Sequence, residues 1–425
     1  MTLVKTSLLN GIAVAVKVAS ALVLNKILAV YVGPAGYAVI GQFQNAASII
    51  VSLAGGVVAT GVTKATAQHF DDEAKQHAFW QTAIRFSLVA SVMAAIPLMF
   101  MGDKLSQWLL HRTDLSSVFV WLALALPAMA ANNLLLAIVN GKKEVGIYVT
   151  ANIVGSSISL LMVGLLAINF GLYGALVAFV INPVIVFLAT AIIVTRRNWF
   201  KAKFLWGQIN RPALRELSGF ALMGLTSALT VPISYMLIRD HLATSLGLSA
   251  AGLWQASWKI SEVFLMLITT TLTIYYLPRL AEIRTAKELK KEILNVYCFA
   301  LPVVIICAST IYILRDFIIQ TLLTTDFAPI RDLFFWQLMG DVLKTGAFVL
   351  AYIMLGRVMI NSFVVTEIAF CVSFYLLTVM FVNKWGLQGV SIAYAVNYGL
   401  YWICMIYLVR HELNIFKKYK EVSSK

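Results

Sequence analysis

The sequence predicts an all-α, polytopic membrane protein with twelve transmembrane helices in two parallel six-helix bundles, related by a pseudo-two-fold axis along the membrane normal. The 425 residues are 60% hydrophobic and only 12% charged, with a mean hydropathy of +0.85. A soluble domain carries about 25% charged residues. Apolar stretches of about 20 residues, the length of a spanning helix, recur along the whole chain, and the two halves share an internal repeat.

Six spans are predicted in each half. The first half has spans at residues 7–31, 37–62, 79–101, 116–139, 146–168 and 172–194. The second half has spans at residues 216–238, 247–277, 293–314, 332–355, 359–382 and 387–409. The first span is too long for a signal-peptide apolar core and lacks a convincing cleavage site, so we expect it to remain as a helix. The predicted domains are an N-terminal bundle (1–198), a basic cytoplasmic linker (199–214) and a C-terminal bundle with a basic cytoplasmic tail (215–425).

The distribution of Lys and Arg predicts the orientation. Of the 33 such residues, 22 lie on the side that holds both termini, and cytoplasmic loops are the ones enriched in positive charge. Both termini are therefore expected in the cytoplasm. The most basic segment, from Arg196 to Arg215, is expected to rest on anionic headgroups. The alternative interpretation is that it acts only as a topological anchor. The net charge of +14 comes without any nucleic-acid-binding motif, so no nucleic acid partner is expected.

The internal repeat has a constant offset of 215 residues. Gly171-Leu172-Tyr173-Gly174 corresponds to Gly386-Leu387-Gln388-Gly389. The same offset relates Lys64 to Arg279, Trp121 to Trp336, Gly141 to Gly356, and Lys142 to Arg357. Because each half has an even number of spans, both halves have the same orientation in the membrane. Two parallel bundles with a cleft that opens alternately to either side are typical of a transporter.

Eight charged residues lie mid-membrane in the predicted spans, away from the span ends, where each costs roughly 2.5–3.5 kcal/mol on insertion. They are Lys17, Lys26, Arg85, Lys259, Lys344, Glu262, Asp341 and Glu367. Residues that persist at this cost usually face a cavity or a partner. Their sum is positive, which favours an anionic ligand.

Two spans carry ordered polar stripes. Gln255, Lys259 and Glu262 in the eighth span have the spacing i, i+4, i+7, and Gln337, Asp341 and Lys344 repeat it in the tenth. This spacing places each set on one face of its helix. The stripes either line a central cavity that grips a charged headgroup or form internal ion pairs, Lys259 with Glu262 and Asp341 with Lys344, that hold the bundle together.

The remaining charged positions have alternatives of their own. Lys17 has no acidic residue at i±3 or i±4 and lies near mid-span, which favours a cavity. Lys26 and Arg85 lie about two turns from span ends and could snorkel to the interface. Glu367 has apolar neighbours and would lose its insertion cost if protonated.

Uncharged amides in the second span offer hydrogen bonds that would suit sugar hydroxyls. Gln42 and Asn45, with Gln44 between them, lie near the start of this span. The alternative is hydrogen bonding between helices.

Catalytic and metal-binding motifs are missing from the sequence. There is no P-loop, the five His residues have no metal-ligand spacing, and the four Cys residues lie in apolar spans without a CxxC pair. We therefore expect no enzyme activity, no metal and no cofactor.

Three segments carry a family resemblance. The segments that resemble the Wzx-type polysaccharide repeat-unit flippases are Gly33-Pro34-Ala35-Gly36, Ala251-Gly252-Leu253-Trp254-Gln255 running on to Tyr276-Leu277-Pro278-Arg279-Leu280, and the stretch from Arg331 to Lys344. Both the enterobacterial common antigen lipid III branch and the O-antigen translocases belong to this family, within the multidrug/oligosaccharidyl-lipid/polysaccharide exporter superfamily. The resemblance covers nearly the whole chain.

The resemblance implies an inner-membrane flippase for an undecaprenyl-pyrophosphate-linked oligosaccharide, an O-antigen or enterobacterial common antigen repeat unit. Membrane lipids and the polymerase and chain-length regulator of the same pathway would be partners. Lys17, Lys26, Arg85, Lys259 and Lys344 would bind the pyrophosphate. Glu262, Asp341 and Glu367 would tune these cations or carry a coupling proton or sodium ion, and Gln42, Asn45, Gln255 and Gln337 would contact sugars.

Two alternative functions remain open. A multidrug or cation antiporter of the same superfamily predicts a net acidic cavity. A membrane-bound glycan-modifying enzyme would need acid-base or metal-binding groups at the outer rim.

Overall fold

A computed structural model describes residues 3–283, 285–357 and 359–423, and these residues are almost entirely helical, with no strand among them. The fifteen α-helices in this part of the chain are α1 (Leu3–Tyr31), α2 (Gly33–Val51), α3 (Val58–Gln68), α4 (Glu73–Phe100), α5 (Gly102–Leu110), α6 (Ser116–Gly141), α7 (Val145–Thr195), α8 (Arg211–Leu246), α9 (Leu248–Thr271), α10 (Leu277–Glu282), α11 (Ala286–Ile313), α12 (Arg315–Leu322), α13 (Phe334–Gly356), α14 (Ile360–Trp385) and α15 (Gln388–Ser423).

Nine helical segments in the described residues are long and apolar enough to cross a membrane. One of them, α7, has 51 residues, more than twice the length that a bilayer requires. It is broken at Gly171, where the backbone turns to φ 56° and ψ −135°, so it supplies two spans. Together with α8 and α9, which have 36 and 24 residues, these segments give the twelve predicted spans. The predicted fold class is confirmed.

The chain divides into two compact units, Met1–Met236 and Leu237–Lys425. The boundary falls inside α8, so the first part of this helix packs with the first unit. The sequence-based division at 199–214 remains a prediction.

Each unit is built around one central helix. In the first unit α6 packs against α3, α4 and α7, and in the second unit α13 packs against α9, α11 and α15. In both α6 and α13, 61% of the residues in the most apolar 18-residue stretch are buried, compared with 17–44% in the other seven of the nine segments. The outer helices expose apolar side chains to lipid instead, and the two central helices occupy equivalent places in the 215-residue repeat.

Some local features were not predicted from the sequence. Short helices α5 and α12 follow the third and ninth spans, at equivalent places in the two halves. A π-helical turn interrupts the second span at Ser52–Gly56 and the eighth at Leu272–Tyr276. A π turn adds one residue to a helix without changing its apolar character, so hydropathy does not detect it.

Candidate functional site

Four helices of the second unit, α9, α13, α14 and α15, contribute the aromatic and acidic side chains around Lys344. The ammonium nitrogen of Lys344 on α13 lies 4.6 Å from the ring centroid of Trp258, 5.3 Å from Phe348, 5.8 Å from Tyr394 and 5.2 Å from Tyr398. Lys344 also interacts electrostatically with Asp341, Glu262 and Glu367. We call this group the Lys344 cluster. A cation over several aromatic faces is stabilised by their quadrupoles, most strongly where water is displaced.

Close approach of α15 to α13 depends on a glycine. A Cβ atom at Gly340 would overlap the ring of Tyr394 and approach the backbone nitrogen of Ala395. The missing side chain lets the Tyr394 ring lie directly against α13, next to Asp341.

Asp341 is fully buried and held by hydrogen bonds. Its Oδ1 accepts a hydrogen bond of 2.9 Å from the Tyr394 hydroxyl, and Ser261 of α9 lies beside the same carboxyl group. In the described residues, Asp341 and Lys344 form no direct ion pair, and the lysine lies over the rings instead. The carboxylate and the ammonium group thus occupy separate places within one buried site.

Gln337 lies one helical turn before Asp341 on the same face of α13. It is 0% exposed, and neither its amide nitrogen nor its amide oxygen has a partner among the residues that the structure describes. The hydroxyl of Ser391 on α15 is equally buried and also lacks a partner there. An unsatisfied buried polar group costs roughly 1–3 kcal/mol. Retention of such groups beside the cluster is typical of a site that binds a polar ligand.

The polar stripe on α9 differs from that on α13. Lys259 Nζ lies 2.8 Å from Glu262 Oε2, and the two side chains are 32% and 54% exposed. This is the ion pair that was one of the two interpretations of this stripe. In α13 Asp341 is buried and Lys344 is partly buried, over the rings. The two stripes therefore have the same spacing but different chemistry.

Arg239 is a buried cation that sequence reasoning missed. It is 3% exposed, and its Nε donates a hydrogen bond of 3.0 Å to Gln255 Oε1. Its guanidinium carbon lies 5.8 Å from the centroid of Trp254. The hydropathy profile placed the end of this span at residue 238, whereas α8 continues to Leu246. Residues 239–246 contain no Pro or Gly. This absence of helix-breaking residues indicates that the helix continues past residue 238.

In the first unit, the two predicted sugar-contacting amides bind helix α8. Gln42 donates to the carbonyl of Met236 at 3.4 Å, and Asn45 donates to the carbonyl of Pro232 at 3.5 Å. These contacts are the interhelical hydrogen bonds that were the alternative interpretation.

The cations of the first unit lie on α1 and α4. The side chain of Lys17 is exposed, and those of Lys26 and Arg85 are partly buried. The six predicted spans of the first half contain these three cations and no Asp or Glu. Apart from Glu216 and Asp332, the first residues of their spans, the spans of the second half contain two cations and three carboxylates. The net positive charge of the spans therefore belongs to the first half.

The repeat shows that the Lys344 cluster is specific to the second unit. An offset of 215 residues pairs Gln337, Asp341, Lys344 and Tyr394 with Leu122, Leu126, Met129 and Phe179. Leu122 and Leu126 are 0% exposed and form part of the apolar core of the first unit. The same helix position therefore serves packing in one half and carries charge in the other. In the described residues, no group of three or more His, Cys, Asp or Glu is placed to hold a metal ion.

Comparison with known proteins places the chain in a family. The family model described as "Polysaccharide biosynthesis protein" matches residues 27–332. The chain is 31% identical over 414 residues to the lipid III flippase of Escherichia coli K12, covering 96% of this chain and 99% of that protein. The lipid III flippase of Shigella flexneri matches with the same identity and coverage.

Solved structures of the MOP superfamily share the fold. An inward-facing multidrug resistance MATE family transporter has a TM-score of 0.82 at 16% identity, covering 94% of this chain and 96% of that chain. An outward-facing MATE transporter has a TM-score of 0.70 at 17% identity, covering 96% of both chains. A MOP superfamily transporter from Pyrococcus furiosus has a TM-score of 0.63 at 15% identity, covering 95% of this chain and 96% of that chain. With its family match over residues 27–332 and its full-length relatives, the chain belongs to the polysaccharide biosynthesis protein family.

Proposed function

We propose that this protein is a flippase for a lipid-linked oligosaccharide. The observation that carries the proposal is the 31% identity to lipid III flippases, which extends over 96% of this chain and 99% of those proteins. Because a span needs roughly 20 residues, a match over 96% of the 425 residues leaves no span wholly outside it. The MATE-like fold supports alternating access, because its structures include inward-facing and outward-facing conformations.

The proposed substrate is an undecaprenyl-pyrophosphate-linked repeat unit of O-antigen or enterobacterial common antigen. It moves from the cytoplasmic to the periplasmic leaflet of the inner membrane, and both termini of the protein face the cytoplasm. The polyprenyl tail stays in lipid while the polar head crosses the membrane through the protein. The polymerase and chain-length regulator of the pathway then receive the product.

The pyrophosphate is bound by cations of the spans: Lys17, Lys26, Arg85, Lys259 and Lys344. Charge-assisted hydrogen bonds from Lys and Arg are the strong contacts available to phosphate oxygens. Lys17 and Arg85 supply the most effective charge, because the predicted spans around them contain no carboxylate. Lys259 and Lys344 lie near carboxylates, which weaken their attraction for an anion.

The carboxylates of the second unit couple transport to an ion gradient. Asp341, Glu262 and Glu367 all interact electrostatically with Lys344. A proton or a sodium ion at one of them changes the charge of the Lys344 cluster and thereby its affinity for the pyrophosphate. Gln255 and Gln337 contact the sugars from the same unit.

The proposal is tested by reconstituting the purified protein in vesicles with a fluorescent polyprenyl-pyrophosphate glycan and measuring its appearance in the opposite leaflet. The wild-type protein is expected to move the lipid, and the triple variant K17Q/K259Q/K344Q is expected to lose this activity. K384Q is the matched control, because Lys384 lies at the end of α14 over a single ring, Trp385. Unchanged transport by the triple variant at normal protein level would overturn the site. Export of a cationic drug without lipid movement would instead identify an antiporter.

A further inference from the structure

The segment that joins the two halves has a one-sided charge. Residues 196–215, which we call the strap, contain six Lys and Arg residues and no Asp, Glu or His. The six cations are Arg196, Arg197, Lys201, Lys203, Arg211 and Arg215. No carboxylate within the segment therefore neutralises these six cations.

One face of the strap is fixed to the first unit by aromatic contacts. Phe200 is 6% exposed and packs with Val139 and Val194. Phe204 stacks on His77 with ring centroids 4.1 Å apart. The indole nitrogen of Trp199 donates a hydrogen bond of 3.1 Å to Glu144 Oε1. These contacts hold the N-terminal half of the strap in one orientation.

Hydrogen bonds and core packing fix the C-terminal half of the strap to the first unit. The backbone nitrogen of Asn210 donates to Thr82 Oγ1 at 3.0 Å, and Asn210 Oδ1 accepts from the backbone nitrogen of Ala213 at 3.0 Å. The second contact caps the first turn of α8. Ala213 is 3% exposed and packs in the core cluster that contains Trp80. The strap is thus a docked element, and its outer face has a defined composition.

The outer face combines the basic residues with exposed apolar side chains. Trp206 is 65% exposed, Ile209 is 49% exposed and Leu214 is 37% exposed. The side chains of Arg196, Arg197, Lys201, Lys203, Arg211 and Arg215 are also exposed. Basic residues mixed with Trp and aliphatic residues are typical of segments that lie in the membrane interface.

The position of the strap in the chain places it at the membrane surface. The spanning helix α7 ends at Thr195 and α8 begins at Arg211, so both ends of the strap are tied to spans. The distribution of Lys and Arg assigns this surface to the cytoplasm. The leaflet there is anionic, and each Lys or Arg near such a surface strengthens binding roughly fivefold.

We infer that the strap binds anionic phospholipid headgroups of the cytoplasmic leaflet, with its cations on the phosphates and Trp206 and Ile209 among the headgroups. This inference is independent of the transported substrate. The lipid contact fixes the connection between the halves to the bilayer surface.

Brominated lipids test the inference, because bromine quenches tryptophan fluorescence only at short range. The full-length protein and its W206F variant are reconstituted in nanodiscs with brominated phosphatidylglycerol or brominated phosphatidylcholine at equal mole fractions. The difference between the two proteins gives the quenching of Trp206. We expect at least about fivefold stronger quenching by the brominated phosphatidylglycerol, decreasing at high salt because screening shortens the reach of the charges.

Charge variants provide the matched control. Replacing Arg196, Arg197 and Lys201 by Gln is expected to abolish the preference for the anionic lipid. Replacing Lys287, Lys290 and Lys291, three exposed lysines at the start of α11, by Gln removes the same charge and is expected to preserve it. Equal quenching by both lipids, or loss of the preference in both variants, overturns the inference. Quenching of Trp206 by aqueous iodide but by neither lipid also overturns it and points to a soluble acidic partner. Equal thermal stability in detergent confirms that the variants are folded.

Discussion

Gly171 and Gly386, 215 residues apart, have the same backbone conformation, with φ 56° in both and ψ −135° and −140°. Side chains strongly disfavour this region, which is used almost only by glycine. Each glycine lies at the junction between the last two spans of its half. The repeat seen in the sequence is therefore also a repeat of backbone geometry, in which an essential turn is made twice by the same residue type.

Substitution of either glycine by alanine should destabilise the protein to a similar extent. We expect G171A and G386A each to lose about 1–3 kcal/mol, because the Cβ atom forces a strained backbone. Thermal unfolding in detergent measures the effect. G146A is the control, since no heavy atom lies within 4 Å of a Cβ at that position and its φ is negative. A neutral effect of both G171A and G386A would show that the turns are not required.

The hydrogen bond between Tyr394 and Asp341 should stabilise the second unit. Y394F removes the hydroxyl donor and leaves an oxygen of the buried Asp341 carboxylate without this hydrogen bond. We expect the free energy of unfolding to fall by about 1–3 kcal/mol. Unfolding in detergent measures the loss, and Y407F is the control because Tyr407 is 72% exposed. In a double-mutant cycle, Y394F combined with D341N should cost less than the sum of the single changes. Additive losses would contradict the contact.

Much of the fold could be predicted from the sequence, because a bilayer demands long apolar helices and leaves few alternatives. The stripes on α9 and α13 were also predictable, since regular spacing in a helix fixes which residues share a face. Tyr394 was not predicted as a site residue, although it occurs in the repeat opposite Phe179. Its role depends on the close approach of α15 at Gly340, and contact between distant helices leaves no periodic signal.

The sequence also could not show which of the two lysines forms an ion pair with a carboxylate on its own helix. Lys259 and Lys344 both lie within one turn of a carboxylate. In the part of the chain that the structure describes, Lys259 forms an ion pair with its neighbour, whereas Lys344 lies over aromatic rings. The difference depends on which rings the adjoining helices present. Arg239 was assigned to a loop because hydropathy cannot distinguish a buried arginine from an exposed one.

Exchanging the charges of Lys259 and Glu262 tests whether this ion pair binds the substrate or only supports the structure. Because the pair is partly exposed, the swapped variant K259E/E262K should unfold within about 1 kcal/mol of the wild type. Transport should still fall, because a pyrophosphate contact requires a cation at position 259. Vesicle transport and detergent unfolding are measured on the same preparation. Full transport by the swapped variant would assign the pair to structure alone.

The rings around Lys344 should be needed for its position. W258L removes the nearest ring, at 4.6 Å, and a desolvated cation-π contact contributes roughly 2 kcal/mol. We expect lower stability and about a tenfold or greater decrease in transport. W385L is the control, since the Trp385 ring faces the peripheral Lys384 at 4.7 Å. Normal transport by W258L would show that the ring does not position the lysine.

Neutralisation of cations should have opposite effects on stability in the two units. K17Q and R85Q each remove a cation from a half whose predicted spans contain no Asp or Glu. The free energy of unfolding should therefore stay the same or increase, because the insertion cost of about 2.5–3.5 kcal/mol is relieved. K344Q leaves Asp341 and Glu367 without their cation and should be less stable. Transport should decrease about tenfold or more in all three variants, because a hydrogen bond to a charged group contributes roughly 1.5–3 kcal/mol. K104Q on the short helix α5 is the control for loss of charge alone. Unaltered transport in both K17Q and R85Q would remove the first unit from the pyrophosphate site, and a stable K344Q would show that the carboxylates of the cluster do not require the lysine.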